Sequence, residues 1–341
     1  MKFGIFDHMD RAKVPLGQQY EERLQLAQAY ERAGFHAYHV AEHHGTPLGM
    51  SPSPSVFLSA LAQRTRRIRF GPLIYPLPMY NPLRLAEEIC MLDHLSNGRL
   101  ELGVGRGASQ FELQYYGVDI ATVQARYFEA YAILMQALTS STLTYEGKFH
   151  SFRAVPIEFE PVQKPHPPLW YGPHNAETVV WPARNNVNIV SNLPSPGVRK
   201  VTDRYRREWA AAGHSGPLPL MAINRFLVLA DSDAEATAIA RRAYDHWHTS
   251  FYRLWAVHNT PPNNVAYPRT FEEIEQMGYG IAGTPEKVRA MLLAQAEEAG
   301  VNYLVCRFAF GDLTLAESLR SLDLFSREVM PAFAEMRDAA E

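Results

Sequence analysis

Three titratable side chains occupy consecutive positions near the start of the chain. Glu42, His43 and His44 stand in the stretch YHVAEHHGTPL, residues 38–48, directly after a run of residues typical of a buried strand. A carboxylate beside two imidazoles could form a metal site, an acid–base site or a hydrogen-bonded loop. The local sequence alone does not choose among these three.

A metal site is the weakest of the three interpretations. His36 and His39 precede the triplet, but their odd spacing on a strand directs them to opposite faces. Adjacent His43 and His44 cannot easily bind one ion, and the first strand, KFGIFDH, lacks the His-x-His pair of many metal-dependent barrel hydrolases. We therefore expect no catalytic metal.

A glycine-rich turn offers a second kind of chemistry. The stretch LELGVGRGASQ, residues 100–110, contains Gly105, Arg106 and Gly107 where a strand passes into a loop. Backbone amides and a guanidinium can approach an anion closely at such a turn. The same pattern also occurs in ordinary tight turns, but Arg106 has few acidic neighbours in sequence and therefore favours an anion site.

A second candidate anion site follows the next predicted barrel strand. His174, Asn175 and Thr178, in the stretch GPHNAETVV, open a helix, where free amide groups and the helix dipole favour a phosphate. The alternative is an ordinary N-cap by Asn175. Two candidate anion sites on neighbouring strands indicate a phosphorylated cofactor.

The elements that must position these groups alternate along the chain. Short apolar runs rich in β-branched and aromatic residues predict strands near 2–8, 36–41, 68–74, 99–104, 168–172, 186–190, 219–229 and 301–308. Amphipathic stretches predict helices near 18–34, 55–65, 82–96, 122–138, 175–184, 197–212, 232–254, 285–299 and 315–329. This alternation favours an α/β fold, a (β/α)8 TIM barrel, whose active site is built at the carboxyl ends of the strands.

One of these helices has both of its ends marked in the sequence. Thr284 is a favourable N-cap, and Pro285 suits the first helical position. Gly300 can take the left-handed conformation that ends a helix. These signals predict the structure of the segment and say nothing about its function.

Two stretches do not fit a bare barrel. Residues 139–167 predict a hairpin followed by an extended, proline-rich connection, and residues 258–283 form a polar, lid-like insertion. Long loops in a compact domain are more often lids or binding loops than filler. We expect a single domain over residues 1–341 that carries these two insertions.

Composition narrows the class of partner. The chain of 341 residues is 47% hydrophobic and 20% charged, and its formal net charge is −3. Because basic and acidic residues are interleaved, we expect a small-molecule partner, with no nucleic acid and no membrane. The N-terminal apolar stretch is too short for a signal peptide or a membrane span, so a cytoplasmic location is expected.

Four motifs follow one another in a characteristic order. They are AEHH at 41–44, LDHLSNGRLELGVGRG at 92–107, ARYFEAYAIL at 125–134 and AGTPEKV at 282–288. Together they resemble the bacterial luciferase-like family of flavin-dependent monooxygenases over essentially the whole chain. The resemblance implies an FMN-dependent two-component monooxygenase, which takes FMNH2 from a separate NAD(P)H:flavin reductase. Such an enzyme uses O2 to oxygenate a small organic substrate through a C4a-hydroperoxyflavin.

The resemblance also implies roles for individual residues. His43 would transfer a proton during the flavin chemistry, a task for which histidine is suited near neutral pH. Arg106 and Arg126 would contact the flavin phosphate, together with Asn175 and Thr178.

Further contacts to the cofactor and the substrate are expected. A cis peptide bond between Leu73 and Ile74 would lie against the flavin ring, and the cofactor site would be completed by Gly105, Gly107 and His174. The expected substrate pocket is lined by Phe6, His8, His44, Tyr75, Asn192 and Phe308.

Three positions depart from the luciferase pattern. Gly105 replaces a cysteine, Asn192 replaces a tryptophan and His174 replaces an acidic residue. All three belong to the expected surroundings of the flavin ring or the substrate, so light emission and the use of a long-chain aldehyde are in question.

Two alternative functions follow from the same resemblance. F420-dependent hydride-transfer enzymes share this fold, and a subunit of the luciferase β type is not catalytic. The EHH triplet favours FMN, and the retention of His43 with Arg106 and Arg126 favours an active enzyme. The resemblance further implies a homodimer, formed through helices beside the early strands such as the one at 82–95.

Overall fold

The computed structural model describes residues 1–261 and 267–334. Its strands are β1 Lys2–Asp7, β2 Ala37–Val40, β3 Arg69–Pro72, β4 Tyr75–Pro76, β5 Leu102–Gly105, β6 Thr142–Glu146, β7 Ser151–Pro156, β8 Leu169–Tyr171, β9 Asn188–Ser191, β10 Met221–Leu229, β11 Gly280–Gly283 and β12 Tyr303–Arg307. Its α-helices are α1 Leu16–Arg32, α2 Pro54–Arg64, α3 Pro82–Ser96, α4 Gln110–Tyr115, α5 Val123–Thr139, α6 Val180–Arg184, α7 Ser195–Ala211, α8 Asp233–Phe251, α9 Arg253–Val257, α10 Phe271–Gln276, α11 Pro285–Ala299 and α12 Leu315–Leu324.

Eight parallel strands form the barrel. Their hydrogen-bonded order is β3, β2, β1, β12, β10, β9, β8 and β5. An isolated parallel bridge between Phe70 of β3 and Leu100 joins the two ends of this row beside β5. The structure therefore confirms the predicted α/β barrel, and the eight predicted barrel strands are those observed.

Two short strands extend the barrel at the carboxyl ends of its neighbours. Strand β4 pairs with the end of β5, and β11 pairs with the second half of β10. The sequence patterns predict neither strand, since β4 has only two residues and β11 lies within the predicted insertion 258–283. Both lie at the end of the barrel where active sites are built in this fold.

Side chains along the barrel strands alternate between the interior and the surrounding helices. In β12, Tyr303 and Val305 pack inside the barrel, and Arg307 lies over the interior ring of Phe6. Phe308 follows immediately and packs instead against Phe325 of the outer layer. The two-residue period of a strand accounts for this difference.

The two predicted insertions contain regular structure. Strands β6 and β7 form the antiparallel hairpin that was predicted in 139–167. The 258–283 segment includes α10 and the buried strand β11, while residues 262–266 of the predicted lid lie outside the described residues.

Helix caps account for several element boundaries. Thr284 accepts a hydrogen bond from the amide of Lys287, Pro285 begins α11, and Gly300 ends it at φ 61°. Within residues 1–261 and 267–334, no helix is both long and apolar enough to cross a bilayer. The same residues contain no group of three or more His, Cys, Asp or Glu side chains arranged to bind a metal ion.

Candidate active site

A cavity of about 150 Å³ lies at the carboxyl ends of the early barrel strands. Its walls are mostly apolar and come from the end of β1 and from the segments that follow β2, β3 and β5. They are formed by Phe6, Ala41, Glu42, His43, Leu73, Ile74, Pro76, Met79, Gly107, Ala108, Ser109, Glu112 and Leu113. The structure thus brings His43 together with the predicted cofactor residues Leu73, Ile74 and Gly107.

His43 is paired with a carboxylate from the opposite wall of this cavity. Its Nδ1 lies 3.1 Å from Oε1 of Glu112, and Oε2 of Glu112 accepts a hydrogen bond from the amide of His44. Glu112 lies in the first turn of α4, whose N-cap Ser109 accepts from the Glu112 amide. The helix start and the loop after β2 therefore hold each other in place.

The backbone also restricts the position of the His43 ring. A Cβ atom added at Gly49 would lie 2.8 Å from the Cβ of His43, closer than such atoms normally approach. Only glycine leaves room for His43 at this point of the loop. Gly49 thus allows the loop to pack closely against the base of the His43 side chain, while Glu112 contacts its ring.

Glu42 and His44 belong to a separate hydrogen-bonded network. The carboxylate of Glu42 accepts from the hydroxyl of Tyr80 at 2.6 Å and contacts Nε2 of His44 at 2.9 Å. The other imidazole nitrogen, Nδ1 of His44, lies 2.8 Å from the hydroxyl of the exposed Tyr116. Both ring nitrogens of His44 are therefore engaged. Contrary to the prediction, His44 does not line the cavity.

This network links the cavity wall to the protein surface. Glu42 lines the cavity and is buried, and burial raises its pKa above the ordinary value for glutamate. His44 and Tyr80 act in the opposite direction by donating to the carboxylate. Of the alternatives open for the triplet, Glu42 fits the hydrogen-bonded loop, which it holds through His44 and Tyr80.

His8 lies behind His43 in an aromatic layer. Its ring centroid is 5.6 Å from that of His43, and its Nδ1 accepts a hydrogen bond from the indole of Trp247. Burial lowers the pKa of His8 well below its ordinary value, and the positive charge of Arg307 lowers it further. His8 is therefore a neutral neighbour of the cavity at physiological pH.

The predicted cofactor residues around β3 and β5 lie next to one another. The peptide bond between Leu73 and Ile74 is cis, as predicted. A Cβ atom at Gly105 would lie 2.8 Å from the side chain of Ile74, so the absence of a side chain at Gly105 allows this close packing. Gly107 has a φ of +87°, which glycine adopts without strain.

Arg106 and Arg126 extend from neighbouring elements without an acidic partner. The guanidinium of Arg106 is exposed and donates to the side chain of Gln124, and that of Arg126 lies 4.3 Å from the ring centroid of Phe149. Within the described residues, neither has a carboxylate within 4.0 Å. Both cations therefore remain available to an anion.

The predicted second anion site lies at the start of a short 3₁₀ turn, Ala176–Val179. Asn175 and Thr178 form a capping box there, in which the Asn175 side chain accepts from the Thr178 amide. His174 precedes the turn; partial burial and the nearby Arg106 lower its pKa. The two predicted anion sites follow β5 and β8, which are paired in the barrel.

Three residues of the predicted substrate pocket lie elsewhere. Tyr75 is fully buried and its hydroxyl contacts that of Ser55, and Asn192 is exposed. Phe308 packs between the barrel and its outer helices, so Arg307 occupies the interior position instead.

Glu112 is the residue of the candidate site that sequence reasoning missed most clearly. A local signal for its helix was present, since Ser109 followed three positions later by Glu112 is a typical N-terminal pattern. That pattern predicts α4 but not the contact with His43, which joins residues 69 positions apart.

The fold and cavity define an α/β-barrel protein whose site combines a histidine–carboxylate pair with free cations. A family model for luciferase-like monooxygenases matches residues 1–303. The chain belongs to this family, as its motifs predicted.

Two relatives span nearly the whole chain. The uncharacterized protein y4wF of Sinorhizobium fredii is 43% identical over 332 residues, which cover 97% of this chain and 96% of the relative. The oxygenase component of the flavin-dependent trigonelline monooxygenase of Acinetobacter baylyi is 26% identical, and the match covers 99% of this chain and 97% of the relative.

Solved structures share the fold. Monooxygenase RslO1 from Streptomyces bottropensis has a TM-score of 0.88 at 26% identity, covering 98% of this chain and all of its own. The oxygenating constituent of 3,6-diketocamphane monooxygenase from Pseudomonas putida, solved with FMN, has a TM-score of 0.80 at 21% identity, covering 97% and 98%. The F420-dependent tetrahydromethanopterin reductase of Methanopyrus kandleri has a TM-score of 0.71 at 18% identity, covering 97% and 99%.

Proposed function

We propose that the chain is the FMN-dependent oxygenase component of a two-component monooxygenase. It would receive reduced FMN from a separate NAD(P)H:flavin reductase and oxygenate a small organic substrate with O2, as a homodimer in the cytoplasm. The observation that carries this proposal is the cavity in which His43, paired with Glu112, lies beside Leu73, Ile74 and Gly107.

The residues present suit a phosphorylated flavin. Arg106 and Arg126 are cations without acidic partners in the described part of the chain. The amides at the start of the turn after Asn175 add hydrogen-bond donors that favour a phosphate. Bound reduced FMN would supply the electrons that activate dioxygen.

His43 is suited to transfer a proton in this cavity. A carboxylate accepts hydrogen bonds, so its contact with Glu112 holds the proton of the neutral imidazole on Nδ1. The other nitrogen, Nε2, is then free to accept a proton from a reacting group. The same contact with Glu112 stabilises the imidazolium that results, as in other histidine–carboxylate pairs.

The cavity wall would limit the access of water. Phe6, Leu73 and Met79 contribute apolar surface around His43. An apolar wall that excludes water strengthens electrostatic interactions inside the cavity and suppresses side reactions with water. This property suits an oxygenase better than a hydrolase, for which water is the substrate.

F420-dependent hydride transfer is the second candidate, because an F420-dependent reductase shares the fold. Two observations favour FMN. A relative named as a flavin-dependent oxygenase component is 26% identical across the chain, whereas the F420-dependent reductase is 18% identical. The EHH sequence that provides His43 is part of the family resemblance on which the FMN assignment rests.

Binding and oxygen transfer test the proposal together. Anaerobic titration of the purified chain with reduced FMN and with reduced F420 compares the two cofactors. A substrate screen under 18O2, with reduced FMN supplied by an added reductase, then detects labelled product. We expect tighter binding of FMN and incorporation of one 18O atom, and His43→Ala should abolish product while FMN still binds. Preferential binding of F420, or no labelled product across the screen, would count against the proposal.

A further inference from the structure

Arg307 is a buried cation in the barrel interior. It stands at the carboxyl end of β12 and is only 3% exposed. Its guanidinium lies 4.8 Å from the ring centroid of Phe6 on β1 and 4.4 Å from that of Phe226 on β10. The three strands are neighbours in the sheet, so these side chains form one interior layer.

The hydrogen bonds of Arg307 are incomplete. Its Nε donates to Oδ1 of Asn224 at 3.0 Å. Burial lowers the pKa of Arg307, and the nearby Tyr267 acts to raise it. Its Nη1 has no hydrogen-bond partner within residues 1–261 and 267–334. A buried donor without an acceptor is costly, and a charged one especially so.

Arg307 also lacks a neighbouring counter-ion. In the described part of the chain, no carboxylate lies within 4.0 Å of its nitrogens. Asp10 is a more distant carboxyl that acts to raise the pKa of Arg307, and burial raises the pKa of Asp10 to about 8. Burial thus favours the neutral form of Asp10, which carries no charge to offset that of Arg307.

The unpaired cation adjoins the candidate active site. Phe6 lines the cavity that contains His43, and the guanidinium of Arg307 packs against the same ring, although Arg307 itself does not line the cavity. One aromatic ring thus separates the guanidinium from the cavity. His8 packs against the same Phe6 ring at a centroid distance of 4.8 Å. Two polar side chains, His8 and Arg307, therefore contact this ring.

We propose that Arg307 binds an anionic group, most simply a carboxylate, of the organic substrate. This inference rests on the proposed function and names the substrate class for the same site. The substrate would lie in the cavity beside His43, and its carboxylate would pass the edge of Phe6 to accept the free Nη1 hydrogen bond. A planar guanidinium with one nitrogen already held by Asn224 is well oriented for such a contact.

Binding of small probes tests this inference without a known substrate. Acetate, hexanoate and benzoate are titrated by calorimetry against the full chain, with and without FMN, and each is compared with its uncharged amide. We expect at least one carboxylate to bind more tightly than its amide, and Arg307→Met to weaken that carboxylate by roughly 10- to 100-fold while leaving the amide unchanged. Arg241→Met, at an exposed ion pair with Glu272, is the matched control and should bind as the native chain does.

A second variant distinguishes a loss of carboxylate binding from a folding defect in Arg307→Met. Asn224→Asp places a carboxylate oxygen at the Nε of Arg307 with almost no change in shape, so the cation gains an internal partner. We expect this variant to remain folded and to lose affinity for the carboxylate about tenfold or more. Asn185→Asp, beyond the end of α6, is its control.

The outcomes separate the possible ligands. If no carboxylate binds, or if carboxylate and amide respond equally to Arg307→Met, Arg307 is only structural and the inference is wrong. If inorganic phosphate and FMN, but not the carboxylates, lose affinity in Arg307→Met, the anion is the cofactor phosphate and the inference is also wrong. Failure of the proposed function would appear separately, as an absence of FMN binding in the native chain.

Discussion

Nδ1 of His43 lies 3.1 Å from Oε1 of Glu112, although 69 positions separate the two residues in the sequence. The loop after β2 and the first turn of α4 meet only because their strands, β2 and β5, flank β3 in the barrel. The contact favours a neutral His43 that carries its proton on Nδ1, and under the proposed function Nε2 would then accept a proton from the reacting group.

Replacement of Glu112 tests the role of this contact. Glu112→Gln keeps the shape and the bond to the His44 amide but removes the negative charge, so the His43 imidazolium loses its stabilising partner. We expect kcat for the substrate found under 18O2 to fall about 10- to 100-fold, with KM and the Kd for FMN within about twofold. Steady-state kinetics and a fluorescence titration with FMN measure the two effects. Glu286→Gln, in the first turn of α11, is the control; an unchanged kcat in Glu112→Gln would show that the pair is only structural.

Gly49 offers a test of His43 position that leaves every titratable group intact. In Gly49→Ala the new methyl group would lie 2.8 Å from the Cβ of His43, so His43 or the loop around residue 49 must shift, and we expect the contact of the imidazole with Glu112 to be disturbed. A displacement of this size is expected to lower kcat about 10- to 100-fold. Gly17→Ala in α1, where nothing lies within 4 Å of the added atom, should leave kcat unchanged and stabilise the helix slightly. Equal kcat values for the two variants would contradict the proposed restriction of His43.

The assignment of Arg106 and Arg126 to the flavin phosphate predicts a difference between two flavins. Riboflavin carries the same ring system as FMN but no phosphate. Arg106→Met and Arg126→Met should each weaken FMN binding about tenfold, as expected for one lost charge-assisted hydrogen bond, and should leave riboflavin binding unchanged. Quenching of flavin fluorescence on titration with protein gives both constants. Parallel losses for FMN and riboflavin would place these arginines away from the phosphate.

Much of the fold was predictable from the sequence because its signals are local. The period of apolar residues predicted the eight barrel strands, and Thr284, Pro285 and Gly300 predicted both ends of α11. The position of His43 in the cavity also followed, since active sites in this fold lie at the carboxyl ends of strands.

The errors arise where the sequence pattern does not show which side chains face the barrel interior. The stretch YLVCRF at 303–308 is buried on both faces, so apolar residues do not alternate with polar ones and the inward-facing side is ambiguous. Phe308 was therefore assigned to the interior position that belongs to Arg307. The contacts of Glu112 with His43 and of His44 with Tyr116 depend on the closed barrel, and no local pattern predicts them.

Asp10 predicts a specific dependence of stability on pH. Its carboxyl is fully buried beside the ion pair of Arg23 and Asp7, and one oxygen accepts from the Gly311 amide. Burial raises its pKa from 3.8 to about 8; the nearby Arg23 opposes this rise and Asp7 adds to it.

The direction in which the free energy of unfolding changes with pH depends on how many protons the folded and unfolded chains bind. Between pH 4 and pH 8, roughly, the folded chain keeps the Asp10 proton whereas the unfolded chain loses it, so the free energy of unfolding falls as pH rises. One proton corresponds to at most about 1.4 kcal/mol per pH unit. Asp10→Asn should reduce the slope over this range, since the amide oxygen can still accept from Gly311 and no group titrates. Urea unfolding at several values between about pH 5.5 and pH 8 measures the slope, with the exposed Asp323→Asn as control. If Asp10→Asn retains the slope of the native chain, Asp10 is ionised in the folded state, and the absence of a counter-ion for Arg307 would have to be reconsidered as well.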